Sequence, residues 1–394
     1  IFEFFRFFFN LGFSSHRHFV IGSTLMMMAS GTGKQKKRQY HCLDIWAISD
    51  ETLSLSDEER KRVIPTLVRS SDGPFEPNYL DHPASITFVE EATAVFLLYV
   101  GMGGPLIWMF STFYALLFGS WTLRTWAILF YIVLAYHPMP SSAFVHRFIT
   151  SRYTQSLYRY FSYRMVWTDS NLEDAQLNVP WIGAGPPHGV LPFANILSIP
   201  AINSIMGMKF AGAPADVVFR TPFLRYLAGF YPTVPVNRIS IAKTIAKGTS
   251  VGLVPDGIAG IFRQNSHVEV VALKHRRGLA RHALRHGTTI LPAYSFGNTA
   301  AFGSWWDRFG LLEWASRKMQ ASVFIYWGRF GLPIPRRVQI TMVFGSPIKV
   351  TKSECEPTEE EIHKLHENIL AGIRDCFESH KHALGWGDKD LVFE

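Results

Sequence analysis

The sequence predicts an α/β domain that follows a membrane-embedded helical segment or hairpin, and three observations carry that prediction. From Ala92 to Leu123 no residue is charged, and after Arg124 the apolar text resumes from Thr125 to Tyr136. Beyond about residue 165, short apolar runs closed by Pro or Gly alternate with amphipathic stretches of helical period, the pattern of a sheet covered by helices. Charged residues are 18% of the 394-residue chain, against roughly 25% in soluble domains.

The Phe-rich opening IFEFFRFFFNLGFSS lacks the order of a secretory signal, because Glu3 and Arg6 interrupt it. Roughly the first 25 residues are read either as an interfacial anchor or as sequence ahead of a start at Met26, Met27 or Met28. Lys34, Lys36, Lys37 and Arg38 form a short basic cluster, read as a solvated tail or a lipid-headgroup contact. One bilayer crossing needs about 20 apolar residues, which the uncharged run supplies. Gly101, Gly103, Gly104 and Pro105 near one end, with Gly119 and Ser120 later, leave open two crossings, a re-entrant hairpin, or one span with an interfacial helix. Arg147, Arg152, Arg159 and Arg164 follow, which puts the chain beyond the segment on the cytoplasmic side.

Pro180 to Ala184, Thr249 to Pro255 and Thr288 to Tyr294 read as buried strands. Between the last two, HRRGLARHALRHG has Leu279, Ala283 and Leu284 on one helical face and Gly287 as its stop. Gln339 to Gly345 alternates apolar and polar residues like a half-exposed strand. A last helix is announced by the capping-box spacing of Thr358 and Glu361. Its stripe of Ile362, Leu365, Ile369, Ile373 and Phe377 is expected to pack in the core.

Lys and Arg (39) exceed Asp and Glu (31), a net charge of +8. That balance suits a phosphate-bearing ligand or an anionic bilayer. Nucleic acid is not expected, because no basic and aromatic recognition motif accompanies the charge. Cys42, Cys355 and Cys376 are odd in number and lack metal-ligand spacing, so no disulfide framework and no metal site are expected. A lipase is disfavoured because no G-x-S-x-G elbow is present, although Ser295 lies in AYSFG.

The stretch GAGPPHGVLPFANI, residues 183–196, carries the clearest chemistry. A strand runs into two prolines, then His188 and Gly189. An imidazole on a rigid turn beside bare backbone can serve as a general base next to N–H groups able to hold an oxyanion. The alternative is a structural histidine. Asp256 and Gly257 follow another strand, and Asp256 is read either as a partner of His188 or as a strand-end turn residue. Arg238 follows a Pro-rich turn, and Lys274, His275, Arg276, Arg277 and Arg281 crowd the start of a helix. These cations suit a phosphorylated ligand or form a solvated basic face.

PPHG, LVPDGIAG, RRGLARHALRHGTTILPAYSFGN, WGRFG and VFGSPIKV occur in that order. Together they resemble the type-2 diacylglycerol acyltransferase family, which also contains monoacylglycerol and wax-alcohol acyltransferases. The resemblance runs from the apolar segment, with YHP at Tyr136 to Pro138 where the family usually has YFP, to HKHALG at His380 to Gly385. It implies a glycerolipid-acyltransferase-like αβ domain and transfer of a fatty acyl group from acyl-CoA to diacylglycerol, forming triacylglycerol. It further implies an endoplasmic reticulum or lipid-droplet enzyme whose catalytic domain faces the cytosol. His188 takes the family's histidine position and would be the base, with Gly189 as a place of close substrate approach or an oxyanion donor. Arg238, Lys274, Arg276 and Arg277 are then candidates for the phosphates of CoA, which is a co-substrate, no resident cofactor being implied. The expected division is a cytosolic N-terminal region at 1–91, the membrane-embedded part at 92–136 and the catalytic domain at 137–394. The expected partners are acyl-CoA, diacylglycerol and the bilayer, with a homo-oligomer left open.

The sequence also departs from the family. Pro186 stands where its HPHG has the first His, and Phe193 occupies the Asp position of the wider H-x-x-x-x-D pattern. The family's Gly-Gly-x-x-Glu element is matched by Asp256, Gly257 and Gly260. These departures keep two alternatives in view: the same chemistry on monoacylglycerol or a long-chain alcohol, and a catalytically weak lipid-binding droplet protein.

Overall fold

A computed structural model describes residues 38–138, 142–168, 179–262, 268–305, 307, 309–319 and 324–394. The Phe-rich opening and Lys34, Lys36 and Lys37 lie outside the described residues. Arg38, the last member of the basic cluster, pairs with Asp375 at 2.9 Å.

The described strands are β1 (Tyr40–Leu43), β2 (Arg69–Ser71), β3 (Arg164–Thr168), β4 (Trp181–Ala184), β5 (Phe210–Gly212), β6 (Ser250–Leu253), β7 (Val268–Val271), β8 (Thr289–Phe296), β9 (Gly303–Ser304), β10 (Tyr326–Trp327), β11 (Thr341–Phe344) and β12 (Asp390–Phe393). Eight of them form one mixed sheet in the order β2-β1-β3-β11-β8-β4-β6-β5. Strands β8, β4, β6 and β5 run parallel, with Ile182 of β4 opposite Ile290 on one side and Val251 on the other. Strand β11 pairs antiparallel with β8 and parallel with β3. The three runs expected to be buried strands are β4, β6 and β8.

Alternation along the strands feeds two cores. Trp167, Trp181, Leu291 and Met342 enter one cluster, and their neighbours Val166, Ile182, Ile290 and Val343 enter the other, because successive strand side chains point to opposite faces. The helix Phe193–Pro200 contributes to the first cluster, and the helices Gly278–His286 and Glu359–Glu378 to the second. Helices on both faces correct one expectation. Strand β11 is buried throughout, not half exposed, because it lies between β3 and β8 in the middle of the sheet. Thr341, whose hydroxyl made the pattern look alternating, is 1% exposed.

The C-terminal helix forms as its sequence announces. Thr358 and Glu361 make a reciprocal capping box, and all five residues of the apolar stripe are buried. The other expected helix spans Gly278–His286 and stops at Gly287. Residues 40–71 precede the apolar segment, yet they supply β1 and β2 to the main sheet, with β1 pairing β3 from Tyr40↔Thr168 to Leu43↔Met165.

The apolar segment is a pair of helices, Phe88–Phe118 and Trp121–Tyr136, joined through Gly119 and Ser120. Thr87 and Glu90 cap the first with a reciprocal box, and Ser120 caps the second. Trp108 stacks on Tyr131 across the pair, with ring centroids 6.0 Å apart. Trp108 also meets Phe223 of the helix Pro222–Gly229, and Tyr226 of that helix donates to the Leu134 carbonyl at 3.0 Å. The first helix is long and apolar enough to cross a membrane, by length and composition. The second is apolar over the shorter stretch Trp121–Leu134. Large apolar side chains along both, among them Phe110, Phe113, Trp126 and Phe130, face outward.

Two of the four arginines that follow the segment are structural. Arg159 pairs with Glu90 at the base of the first helix. The Arg164 side chain is 0% exposed, stands 3.2 Å from Asp44 and donates to the carbonyls of Leu80 and His82. Both are held by protein contacts and are not a free record of membrane side.

Candidate active site

Three loops meet beyond the carboxyl ends of the parallel strands β4, β6 and β8, where open α/β sheets place their ligands. The loop after β4 carries Gly185 to Gly189, the turn after β6 carries Asp256, and the turn after β8 carries Asn298.

His188 is half buried. Its Nδ1 lies 3.0 Å from the carbonyl oxygen of Gly189. A carbonyl can only accept, so Nδ1 carries the proton and the neutral ring presents its lone pair at Nε2. Nε2 meets no partner among the described residues. The group that fixes the tautomer is therefore the main chain of the next residue. Phe193, at the position where a carboxylate would be sought, is a core residue 4.7 Å from Phe161 in ring centroids.

Asp256 is 0% exposed, and its Oδ2 accepts the backbone N–H of His188 at 3.0 Å. Asp256 sits at the end of a strand, and its hydrogen bond to His188 is made to the main chain, not the ring. Burial pushes its carboxyl above the ordinary carboxylate range, while the nearby His188 acts in the opposite direction. Oδ1 is buried without a hydrogen-bond partner among the described residues. Gly260 accommodates this carboxylate, since a Cβ there would collide with Asp256 Oδ2. The exchange of Gly-Gly-x-x-Glu for Asp256, Gly257 and Gly260 is self-consistent: the acid sits at the first position, and the space at the fifth, where the family has its Glu, is given up to it.

Gly189 adopts φ +62°, and a Cβ on it would lie 2.5 Å from the Asn298 carbonyl oxygen. The close approach expected of a substrate is made on that side by the Asn298 main chain. Around this contact runs a polar network that sequence reasoning missed. Asn298 Nδ2 donates to the Pro187 carbonyl at 3.0 Å, and its Oδ1 accepts from Ala194 N–H at 2.9 Å. Asn195 Nδ2 donates to the Gly185 carbonyl at 3.0 Å, and Ser295 N–H donates to the Pro186 carbonyl at 2.8 Å. The carbonyls of Gly185, Pro186 and Pro187 are thereby all engaged. Asn195, Ser295 and Asn298 lie inside the quoted motifs, but only three-dimensional pairing shows what they hold.

A buried carboxylate stands behind this network. Glu269 of β7, 1% exposed, accepts from Tyr294 Oη at 3.2 Å, Thr299 Oγ1 at 3.1 Å and Lys389 Nζ at 3.0 Å. Its one sequence signal is an acid inside the otherwise apolar run Val268–Val271.

The four cations expected to face a phosphorylated ligand are dispersed. Arg276 reaches the turn at Asp256, with Nη1 at 3.3 Å from the Cβ position of Gly257. Arg277 stands 3.9 Å from Glu359. The Lys274 carbonyl accepts from His366 Nε2 at 3.0 Å, and its side chain is exposed. Arg238 lies elsewhere, in a groove with His282 and Arg285. Among the described residues no cluster of His, Cys, Asp and Glu could hold a metal ion. Burial pushes the Cys42 thiol up to about 12, which makes it a poor nucleophile.

Comparison with known proteins settles the family. A family profile described as diacylglycerol acyltransferase matches residues 113–394. The chain belongs to that family. It is thereby an acyltransferase, with acyl transfer to glycerolipids as its reaction class. It is 26% identical over 358 residues to diacylglycerol O-acyltransferase 2 of Xenopus laevis, covering 84% of this chain and 91% of that protein. It is 29% identical over 223 residues to human 2-acylglycerol O-acyltransferase 3, covering 50% of this chain and 64% of that protein. A solved 1-acyl-sn-glycerophosphate acyltransferase of Thermotoga maritima is similar at a TM-score of 0.37 and 14% identity, over 74% of this chain and 95% of that one. That likeness is too slight to carry an argument.

Proposed function

We propose that this member of the family transfers a fatty acyl group from acyl-CoA to the free hydroxyl of diacylglycerol, forming triacylglycerol, with His188 Nε2 as the general base. The observation that carries this reading is the hydrogen bond from His188 Nδ1 to the Gly189 carbonyl, which leaves Nε2 as the ring's acceptor. Nε2 takes the hydroxyl proton as the oxygen attacks the thioester carbonyl. The Gly189 carbonyl then faces the proton of the imidazolium and stabilises it. Collapse of the tetrahedral intermediate breaks the C–S bond, and the departing thiolate recovers the proton from Nε2. Arg276 is placed nearest this turn, and Lys274 and Arg277 adjoin it in sequence, so these three are the candidates for the CoA phosphates. The outward apolar faces of the helix pair Phe88–Phe118 and Trp121–Tyr136 support embedding in the endoplasmic reticulum membrane, from which both acyl-bearing substrates would arrive laterally.

The test uses microsomes from cells lacking neutral-lipid synthesis, supplied with labelled oleoyl-CoA and diacylglycerol. Labelled triacylglycerol should form, and His188→Ala should abolish it while the protein still accumulates in the membrane. Full activity in that variant removes His188 from the mechanism. The similarity to a 2-acylglycerol acyltransferase makes monoacylglycerol the second acceptor to try, and competition between the two acceptors in the same assay ranks them.

A further inference from the structure

A second constellation lies away from the His188 turn, between the helices Arg238–Ala246 and Gly278–His286. The two enclose a groove of about 300 Å³. Arg238, Lys243 and Arg285 line it as cations, and Ile239 with the imidazoles of His282 and His286 completes it. Glu356, which feels both Arg285 and Arg238, offsets part of this charge, and the cations remain in excess. Arg285 is paired with Glu356, and Asp216 accepts, at 3.4 Å, from Asn237, the residue that caps the first helix. Arg238 and Lys243 have no carboxylate within ion-pair distance among the described residues. His282 is 7% exposed, and its Nε2 has no hydrogen-bond partner among the described residues. Its ring centroid is 4.5 Å from that of His286. Burial and the surrounding charges of His286, Arg238 and Arg285 push its pKa down to about 4, as expected where positive potential is in excess.

We propose that this groove binds the phosphate of an anionic phospholipid headgroup at the bilayer surface. Phosphate oxygens match guanidinium and ammonium donors. The lipid source is favoured by two exposed aliphatic side chains close to Arg238 in sequence, Val236 two residues before it and Ile239 directly after it. Val236 and Ile239 are 42% and 68% exposed, and aliphatic side chains interleaved with cations are the chemistry of an interfacial contact. Arg238, grouped from sequence with the CoA cations, belongs to this second site. The proposal is independent of the acyl-transfer reading, because its readout is binding and not turnover.

The experiment follows thermal unfolding of the full chain, purified in a neutral detergent, with four probes at matched concentration: dihexanoyl phosphatidic acid, dihexanoyl phosphatidylcholine, inorganic phosphate and CoA. Phosphatidic acid should raise the Tm saturably, by about 3–5 °C, and phosphatidylcholine should not. The rise should vanish in Arg238→Gln/Lys243→Gln. Ile239→Ser and Lys243→Gln alone, both at exposed positions, should weaken binding at least about threefold and keep a readout should the double variant fail to fold. Absence of a rise, a rise indifferent to these variants, or an equal rise from phosphate or CoA that is lost in them would each overturn the lipid site.

Discussion

The backbone N–H of His188 and the buried Oδ2 of Asp256 are 3.0 Å apart, joining the loop after β4 to the turn after β6. Through this bond Asp256 holds the main chain that carries the imidazole. Asp256→Ala leaves a buried N–H without an acceptor, at a cost of about 1–3 kcal/mol. Turnover should fall roughly 100-fold as the ring shifts, read by the labelled-oleoyl assay alongside a urea titration.

The same carboxyl sets a pH dependence. Its folded pKa is raised by burial, so the fold favours the protonated form. That contribution is complete below the unfolded carboxylate pKa of about 4 and is lost as pH rises through the folded value. Asp256→Asn is neutral throughout, so its Tm should gain on the parent's from pH 4 towards neutrality. A constant difference across that range contradicts the assignment.

Gly189 cannot become Ala without moving the loop. A residue with a Cβ at φ +62° costs about 1–2 kcal/mol, and the Asn298 carbonyl blocks the space as well. A total loss of about 2–4 kcal/mol is expected. Activity should fall with it, because the Gly189 carbonyl is what holds Nδ1.

Gly260 and Asp256 should be energetically coupled. Gly260→Ala drives a methyl into the Asp256 carboxylate, yet in an Asp256→Gly background the obstacle is gone. A double-mutant cycle on unfolding free energy should return a coupling of at least about 1 kcal/mol in the direction of rescue. Additive effects would mean the two positions do not share this space.

Lys389 tethers the C-terminal strand to Glu269 at 3.0 Å. Lys389→Met removes the cation and leaves the carboxylate buried, at a cost of about 3–5 kcal/mol. Glu269→Gln/Lys389→Met removes both charges and should recover most of it. Chemical denaturation of the parent and the two variants distinguishes charge burial from simple loss of packing.

Local signals were legible where they arise from neighbours in sequence. The Thr358 and Glu361 capping box, the stripe from Ile362 to Phe377 and the stop at Gly287 need only helical geometry. Strands β4, β6 and β8 were legible because strands covered on both faces are apolar along their whole length. Strand β11 was misjudged for a related reason: its alternation suggested one wet face, whereas its central place in the sheet covers both.

By itself the sequence determined an apolar segment, an α/β domain, a family resemblance that the family match bears out, and the candidate base His188. Tertiary structure decided what that histidine can do. The Gly189 carbonyl at Nδ1, the Asp256 oxygen at the main-chain N–H and the Asn298 side chain at Pro187 come from three loops joined only by the sheet. Asp256 lies 68 residues from His188, and only strand pairing closes that gap. The four candidate cations were sorted in the same way, one to the His188 turn and one to a separate groove. Charge and composition record which side chains a chain owns, and a sequence carries no distances between loops that meet only when the sheet has formed.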